Sequence, residues 1–161
     1  MQNPDIVRNE EYERRAIEVI SAARHSIFFS TFKVYLTKEE KKGGCNKMFS
    51  ALLEKAREGI EVKAMLQCGY DGTSLSNLNR IAAKKLIAAG AKVKHLEGRR
   101  VVHAKIILVD GLFLLSGSHN WSVGSLRRNF EISFYFWGLG VVQPVVSFCE
   151  KEWDRAFDFR P

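Results

Sequence analysis

The chain has 161 residues, 46% of them hydrophobic, and a formal charge of +7 at pH 7 with a pI near 9.5. That length and apolar content suit one folded domain spanning residues 1–161 with a core to bury. Met1–Glu13 is polar and charged, and no apolar run approaches the length of a membrane span, so no signal peptide or transmembrane segment is expected and the chain reads as soluble, its compartment open.

In chain order, Asn9–Ala23 reads as a helix. Asn9 is placed to cap it, Glu10, Glu11 and Glu13 favour its first turn, and Ala16, Ile17, Ile20 and Ala23 make an apolar stripe. Ser26–Val34 is a phenylalanine-rich strand, and Lys38–Gly44 a charged loop. Asn46–Glu58 is a second helix with Met48, Phe49, Leu52, Leu53 and Ala56 inward and Gly59 as its stop. Strand Glu61–Gln67, a turn-rich loop Cys68–Ser76, helix Leu78–Ala89 and strand Lys92–Leu96 follow. Val102–Val109 and Phe113–Ser116 read as strands joined at Asp110-Gly111, and Ile132–Trp137 as another. Pro144 is expected to open a last helix, in the first-turn position that proline tolerates, running to about Phe157. Helix and strand alternate first and strands cluster later, which predicts an α/β fold: a mixed β-sheet sandwiched between α-helices.

The charge is uneven. Between Lys84 and Arg128 nine Lys or Arg stand against only Glu97 and Asp110, a local balance of +7, and the rest of the chain is neutral in sum. A localised positive field points to an anionic partner, nucleic acid or acidic lipid. Cys45, Cys68 and Cys149 are far apart with no Cys-x-x-Cys, which argues against a zinc site and a disulfide framework and for buried, inert thiols.

The chemistry concentrates in Val101–Asn120. His103 and Lys105 stand two apart, as do Ser118 and Asn120, and residues two apart on a strand share a face. An imidazole, an ammonium, a hydroxyl and an amide near one point suit a phosphate better than a metal ion. His103 can attack phosphorus if its ring is neutral and one nitrogen's proton is held by a partner, for which Glu131 is the candidate.

The pattern His103-x-Lys105-x4-Asp110-x6-Gly117-Ser118-x-Asn120 resembles the HKD motif of the phospholipase D superfamily, and Asn129-Phe130-Glu131 resembles its downstream glutamate. The resemblance implies a phospholipase D-like fold with catalytic His103, Lys105, Asp110, Asn120 and Glu131, no cofactor and no metal. It implies a covalent phosphohistidine, a second histidine as general acid, and then hydrolysis. Lys105 would neutralise the phosphate, Asn120 would donate to its oxygens, and Ser118 would support the site by hydrogen bonding. Most members carry two motifs in one chain and this chain carries one. Single-motif members resemble small endonucleases and the mitochondrial cardiolipin-hydrolase/piRNA-nuclease group, which work as homodimers. A zinc finger often seen in the latter group is not found here.

Duller roles compete. Asp110 precedes Gly111 between two apolar runs, so a hairpin turn or a structural salt bridge explains it better than chemistry. His119 sits at the variable position of the tail and reads as a bystander; His25 and His95 have no motif around them. Phe130, Phe134, Phe136 and Trp137 read as sheet core. Trp121 either stacks a base or packs the site wall. Arg99, Arg100, Trp121, Arg127 and Arg128 are candidates to line a nucleic-acid groove, doubled in a homodimer. The leading expectation is a metal-independent nuclease acting on DNA or RNA, in accessible single strands. A phospholipase acting on an anionic membrane lipid such as cardiolipin is the alternative, with Trp137–Val142 as a conceivable apolar lip, and a nucleic-acid-binding module without turnover is the third reading.

Overall fold

A computed structural model describes residues 3–37, 44–68 and 73–161; residues 38–43 and 69–72, which carry most of the two expected loops, lie outside the described residues. The described elements are β1 (Asp5–Arg8), α1 (Asn9–Ser21), β2 (Ser26–Thr31), α2 (Gly44–Arg57), β3 (Glu61–Leu66), α3 (Ser74–Ala88), β4 (Lys92–His95), β5 (Ile106–Val109), β6 (Phe113–Gly117), α4 (Val123–Arg127), β7 (Ile132–Trp137), α5 (Leu139–Arg155) and β8 (Phe157–Asp158). Eight strands form one sheet in the order β1-β7-β6-β5-β2-β3-β4-β8. β2, β3 and β4 are parallel, and every other pairing is antiparallel.

Helices cover both faces, as the alternation predicts. On one face α1, α2 and α3 bring Ile20, Leu52 and Leu86 down onto Phe29, Leu66, Ile107 and Leu115. On the other, α5 sets Val142 and Cys149 on Ile106, Leu108 and Leu114, while Trp153 packs with Met65 and Val102. All four residues of β5 are buried because the strand lies mid-sheet with both faces covered. Each fully buried Leu or Ile stabilises by about 1.5–3 kcal/mol, so both layers are needed to offset chain entropy. Among the described residues no helix is long and apolar enough to cross a membrane. The three cysteines are free and buried, and burial pushes each thiol up to about 12, so they are inert as expected.

Several boundaries differ from expectation. β1, α4 and β8 were not foreseen; each has five residues or fewer, too short for a periodic signal. α1 is capped at Arg8, whose N–H donates to the Glu11 carboxylate, and Asn9 is the first helical residue. α3 starts four residues early because the Thr73 hydroxyl accepts from the Ser76 N–H. Pro144 does not open α5 but lies inside it, where it has no N–H to give to the preceding turn. Fully buried Val142, packed on the sheet, holds that first turn in place. Val102–Val109 is a ladder strand only from Ile106 onward.

Asp110 occupies the β5–β6 turn with φ 53°, and Gly111 follows with φ 64°. Its carboxylate accepts the backbone N–H groups of Arg24, His25 and Ser26 at 2.9, 2.8 and 2.8 Å. Burial opposes its ionisation, but these three bonds and nearby His25 win and hold the carboxyl below its usual pKa. The turn role argued from Asp-Gly is what the structure contains, and the carboxylate ties it to the α1–β2 connection and the first residue of β2. Asp110→Ala should lower unfolding free energy by about 2 kcal/mol, the scale of hydrogen bonds to a charged group. Since the folded pKa is depressed, this contribution is complete above the ordinary Asp value of about 3.9 and fades as pH falls through the folded value. Urea denaturation at pH 7 and pH 3 should therefore show the gap between wild type and variant narrowing at the lower pH.

Candidate active site

β2 and β6 end, and β5 and β7 begin, at the same pole of the sheet, because each neighbouring pair runs antiparallel. That pole collects His103 and Lys105 ahead of β5, Ser118 and Asn120 after β6, and Glu131 ahead of β7. Asp110 lies at the opposite end of β5, a four-residue strand and so about 13 Å long. The structure does not bring it to the other motif residues; its carboxylate is occupied by backbone.

His103 is exposed and Lys105 is buried. The backbone from Val101 to Lys105 is outside the ladder and is held by side chains instead. Gln67 Oε1 accepts the Val102 N–H at 2.8 Å, the Ser30 hydroxyl donates to the Ala104 carbonyl at 3.0 Å, and the Ser116 hydroxyl donates to the Lys105 carbonyl at 3.0 Å. The Lys105 amine donates to the His103 carbonyl at 2.6 Å and lies 3.1 and 3.3 Å from the two ring nitrogens. Phe32 backs both, with its ring 4.9 Å from the imidazole and 5.7 Å from the amine. Burial draws the Lys105 pKa down, and the Glu131 carboxylate opposes that. A cation beside the imidazole is placed to hold a phosphate as the ring attacks.

Glu131 accepts from Ser125 Oγ and Asn129 Nδ2, each at 3.0 Å. Burial favours its neutral form, but hydrogen bonds from Ser118, Asn129 and Ser125 and the nearby His119 outweigh it, so the carboxyl sits below its usual pKa. The carboxylate expected to hold His103's proton is thus bound to the loop after Asn120. The Asn120 N–H donates to Ser125 Oγ at 3.3 Å, and its side-chain oxygen is 3.5 Å from the Thr31 hydroxyl. Ser118 is held on Ile132, whose N–H donates to its hydroxyl at 3.1 Å.

The remaining expected residues divide. Trp121 is fully buried against Phe29, with ring centroids 4.2 Å apart and its N–H 3.4 Å from the Tyr12 hydroxyl; it is core, and it does not line a groove. Arg100 pairs with Glu152 and Arg127 with Glu13, each at 2.5 Å, while Arg99 and Arg128 are exposed. Phe134, Phe136 and Trp137 are partly buried, but Phe130 is 97% exposed and is not sheet core. His119 is fully buried, stacked on Tyr12 at 4.4 Å with Nδ1 2.8 Å from Ser133 Oγ. Among the described residues no three His, Cys, Asp or Glu converge as a metal site would require.

Sequence reasoning missed Asn79. Its amide is fully buried, donates to the Phe32 and Gln67 carbonyls at 2.8 and 2.7 Å, and accepts the Val34 N–H at 2.8 Å. It therefore fixes both Phe32 and the segment carrying Gln67. The signal was there: Asn79 lies on the same helical stripe as Ala82, Ala83 and Leu86, where a polar residue is out of place.

The family described as cardiolipin synthase, PLD-like domain, matches residues 16–153. The chain belongs to the phospholipase D superfamily. Cardiolipin synthase A of Shigella dysenteriae is 35% identical over 86 residues, 53% of this chain but only 18% of that protein, so the chain spans less than a fifth of this curated relative. Among solved structures, Nuc from Salmonella typhimurium, described as a phospholipase D family member, superposes with TM-score 0.77 at 17% identity, covering 98% of both chains. NucT from Helicobacter pylori superposes with TM-score 0.75 at 18% identity, over 97% of this chain and 98% of its own. At those identities the likeness is one of fold. Within this superfamily frame, the motif glycine has a steric reason. A Cβ on Gly117 would lie 2.4 Å from the Ile132 carbonyl, Ser133 Cα and Ser133 Oγ. Gly117→Ala should destabilise by about 1–3 kcal/mol through overpacking and displace Ser118 and Asn120, read as a lower melting temperature with an altered amide spectrum for both residues.

Proposed function

We propose that this protein is a metal-independent phosphodiesterase, most specifically a nuclease, whose working unit is a homodimer sharing one reaction centre. The carrying observation is a count of histidines. The chain has four. His103 alone is exposed at the pole with Lys105 and Asn120; His119 and His95 are buried, and His25 adjoins the Asp110 turn at the other pole. A nucleophile and a separate general acid of the same kind then require a second copy, and a two-fold interface pairs a patch with itself.

In the proposed course His103 of one protomer attacks phosphorus in line, forming a P–N bond as the P–O bond to the leaving group breaks. The leaving oxygen takes its proton from the second copy of the histidine. Water then attacks phosphorus, the P–N bond breaks, and the water proton returns to that second histidine. Lys105 and Asn120 hold the non-bridging oxygens throughout, and Ser118 and Glu131 set the loop that aims Asn120.

The local charge of the Lys84–Arg128 segment supports a polyanionic substrate. The near-complete mutual coverage with Nuc and NucT, each about the size of this chain, supports the nuclease reading. The match to cardiolipin synthase A supports a second reading, hydrolysis of an anionic phospholipid.

The test is cleavage of labelled single- and double-stranded DNA and RNA in EDTA, by wild type and His103→Asn, beside cardiolipin vesicles, with sedimentation to give the mass in solution. Nucleic-acid cleavage that survives EDTA, falls at least a thousandfold in the variant and accompanies a dimer mass is the expected result. Phosphatidic acid release with no strand cleavage would favour the lipid reading, and tight, salt-sensitive binding without either reaction a module that has lost turnover. A wild-type monomer with full activity would sink the shared centre.

A further inference from the structure

A cavity of about 180 Å³ opens directly beside the attacking residue: His103 and Ala104 form part of its wall. Phe28, Met65, Leu96 and Val102 supply an apolar floor, and Phe148 of α5, 55% exposed, stands at the mouth. For scale, an apolar cavity of about 150 Å³ takes up a benzene ring. The cavity therefore has room for one planar ring. It is not apolar throughout. Glu152 lines it with a side chain only 13% exposed, held by Arg100 at 2.5 Å and by Arg155 at 3.4 Å. Neither the phosphate chemistry nor the sheet core uses this carboxylate–guanidinium pair.

We propose that this cavity is a nucleobase subsite, receiving the base of a nucleotide adjoining the scissile phosphate, with cytosine as its best occupant. The proposal rests on the nuclease reading of the same site. An acyl chain would cover Glu152 and Arg100 with methylenes and give them nothing in return, at the cost of desolvating a charged pair. A base brings its own donors and acceptors. Phe148 offers a face for stacking, which every base can use. Glu152 selects among them, because a carboxylate accepts from the exocyclic amino group of cytosine, whereas thymine and uracil turn a carbonyl oxygen toward it. Arg100, at the rim, donates to the ring acceptors on the same edge. One ring also fits the volume better than two. The shared wall with His103 places the occupant one nucleotide from the phosphorus under attack.

The experiment uses the full chain and a library of random single-stranded DNA and RNA, cut in EDTA and sequenced to give cleavage frequency by base on each side of the break. Wild type, Phe148→Ala, Glu152→Gln and His103→Asn are compared, with thermal melting to confirm that each is folded. The expected result is cytosine favoured about tenfold over thymine or uracil at one fixed position, the order of discrimination one good edge contact supplies. That preference should shrink below about twofold in Phe148→Ala and in Glu152→Gln. Cleavage without base preference in wild type, or a preference unchanged in both variants, overturns the subsite and leaves the nuclease reading standing. Wild type that cuts no nucleic acid, or cutting that persists in His103→Asn, overturns both. Loss of cardiolipin hydrolysis in Phe148→Ala, with no strand cleavage by wild type, overturns the base subsite in favour of an acyl pocket.

Discussion

The three hydrogen bonds that Asp110 accepts from the backbone of Arg24, His25 and Ser26 set the frame on which the site depends. They fasten the β5–β6 turn to the start of β2, so the end of β5 and the starts of β2 and β6 are tied at one point. From there the register runs Ile27 opposite Val109, Ser30 opposite Ile106, and Ile106 opposite Ser116. A one-residue slip would turn every side chain to the wrong face. With the register held, β2 and β6 deliver Thr31 and Ser118 to the same pole where His103 and Lys105 enter β5. Asp110 thus serves the chemistry from the far end of the strand, through position and not contact.

At the working pole the ladder gives way to side-chain hydrogen bonds. Ser30, Gln67 and Ser116 hold the Val101–Lys105 backbone, and Asn79 holds Phe32 behind His103. The reason is spatial. A ladder strand would send its residues alternately into the two helix layers, whereas this segment must leave His103 exposed while keeping Lys105 buried with its amine returned to the His103 carbonyl. Polar side chains from β2, β6 and α3 can satisfy irregular backbone there, and buried backbone polar groups need such partners. Each of these polar residues is buried or half-buried, so a lost partner would leave an unsatisfied group next to His103.

The sequence was most legible where one local signal governed one residue. The Asp-Gly turn and the apolar stripes of α1 and α2 each carry their own physical reason, and the sheet between two helix layers follows from their order; the i, i+2 spacing of His103 and Lys105 instead falls on irregular backbone before β5. Legibility failed where tertiary contact outweighed the local pattern. Pro144 reads as a helix start, yet packing of Val142 onto β5 and β6 extends α5 a turn and a half before it. Trp121 directly follows a phosphate-binding motif and reads as its neighbour. One residue further along an extended backbone, however, it faces the other way, into Phe29 and Tyr12. Phe130, an aromatic beside a strand, reads as core but precedes β7 and projects into solvent. Glu131 reads as a partner for His103, while three nearer donors claim its carboxylate.

In the proposed reaction one chain would carry half of the chemistry, and the charge arrangement at the pole supports that reading. Glu131 remains ionised through its hydrogen bonds, and its negative charge supports the partly buried Lys105 ammonium, whose desolvation it offsets. The Lys105 amine in turn lies against the His103 ring and carbonyl, so one cation and one imidazole stand side by side. Of the other imidazoles, His119 lies close enough to Glu131 to feel its charge, but it is committed to Tyr12 and Ser133 in the core. Turning it outward would empty a fully buried position and break its Ser133 bond, a change of core-packing scale. His119 is therefore given to the core, as is buried His95 at the end of β4. Under the proposed mechanism the acid would be supplied by symmetry, since a second chain would bring an identical exposed His103 to an identical pole with no change to either core.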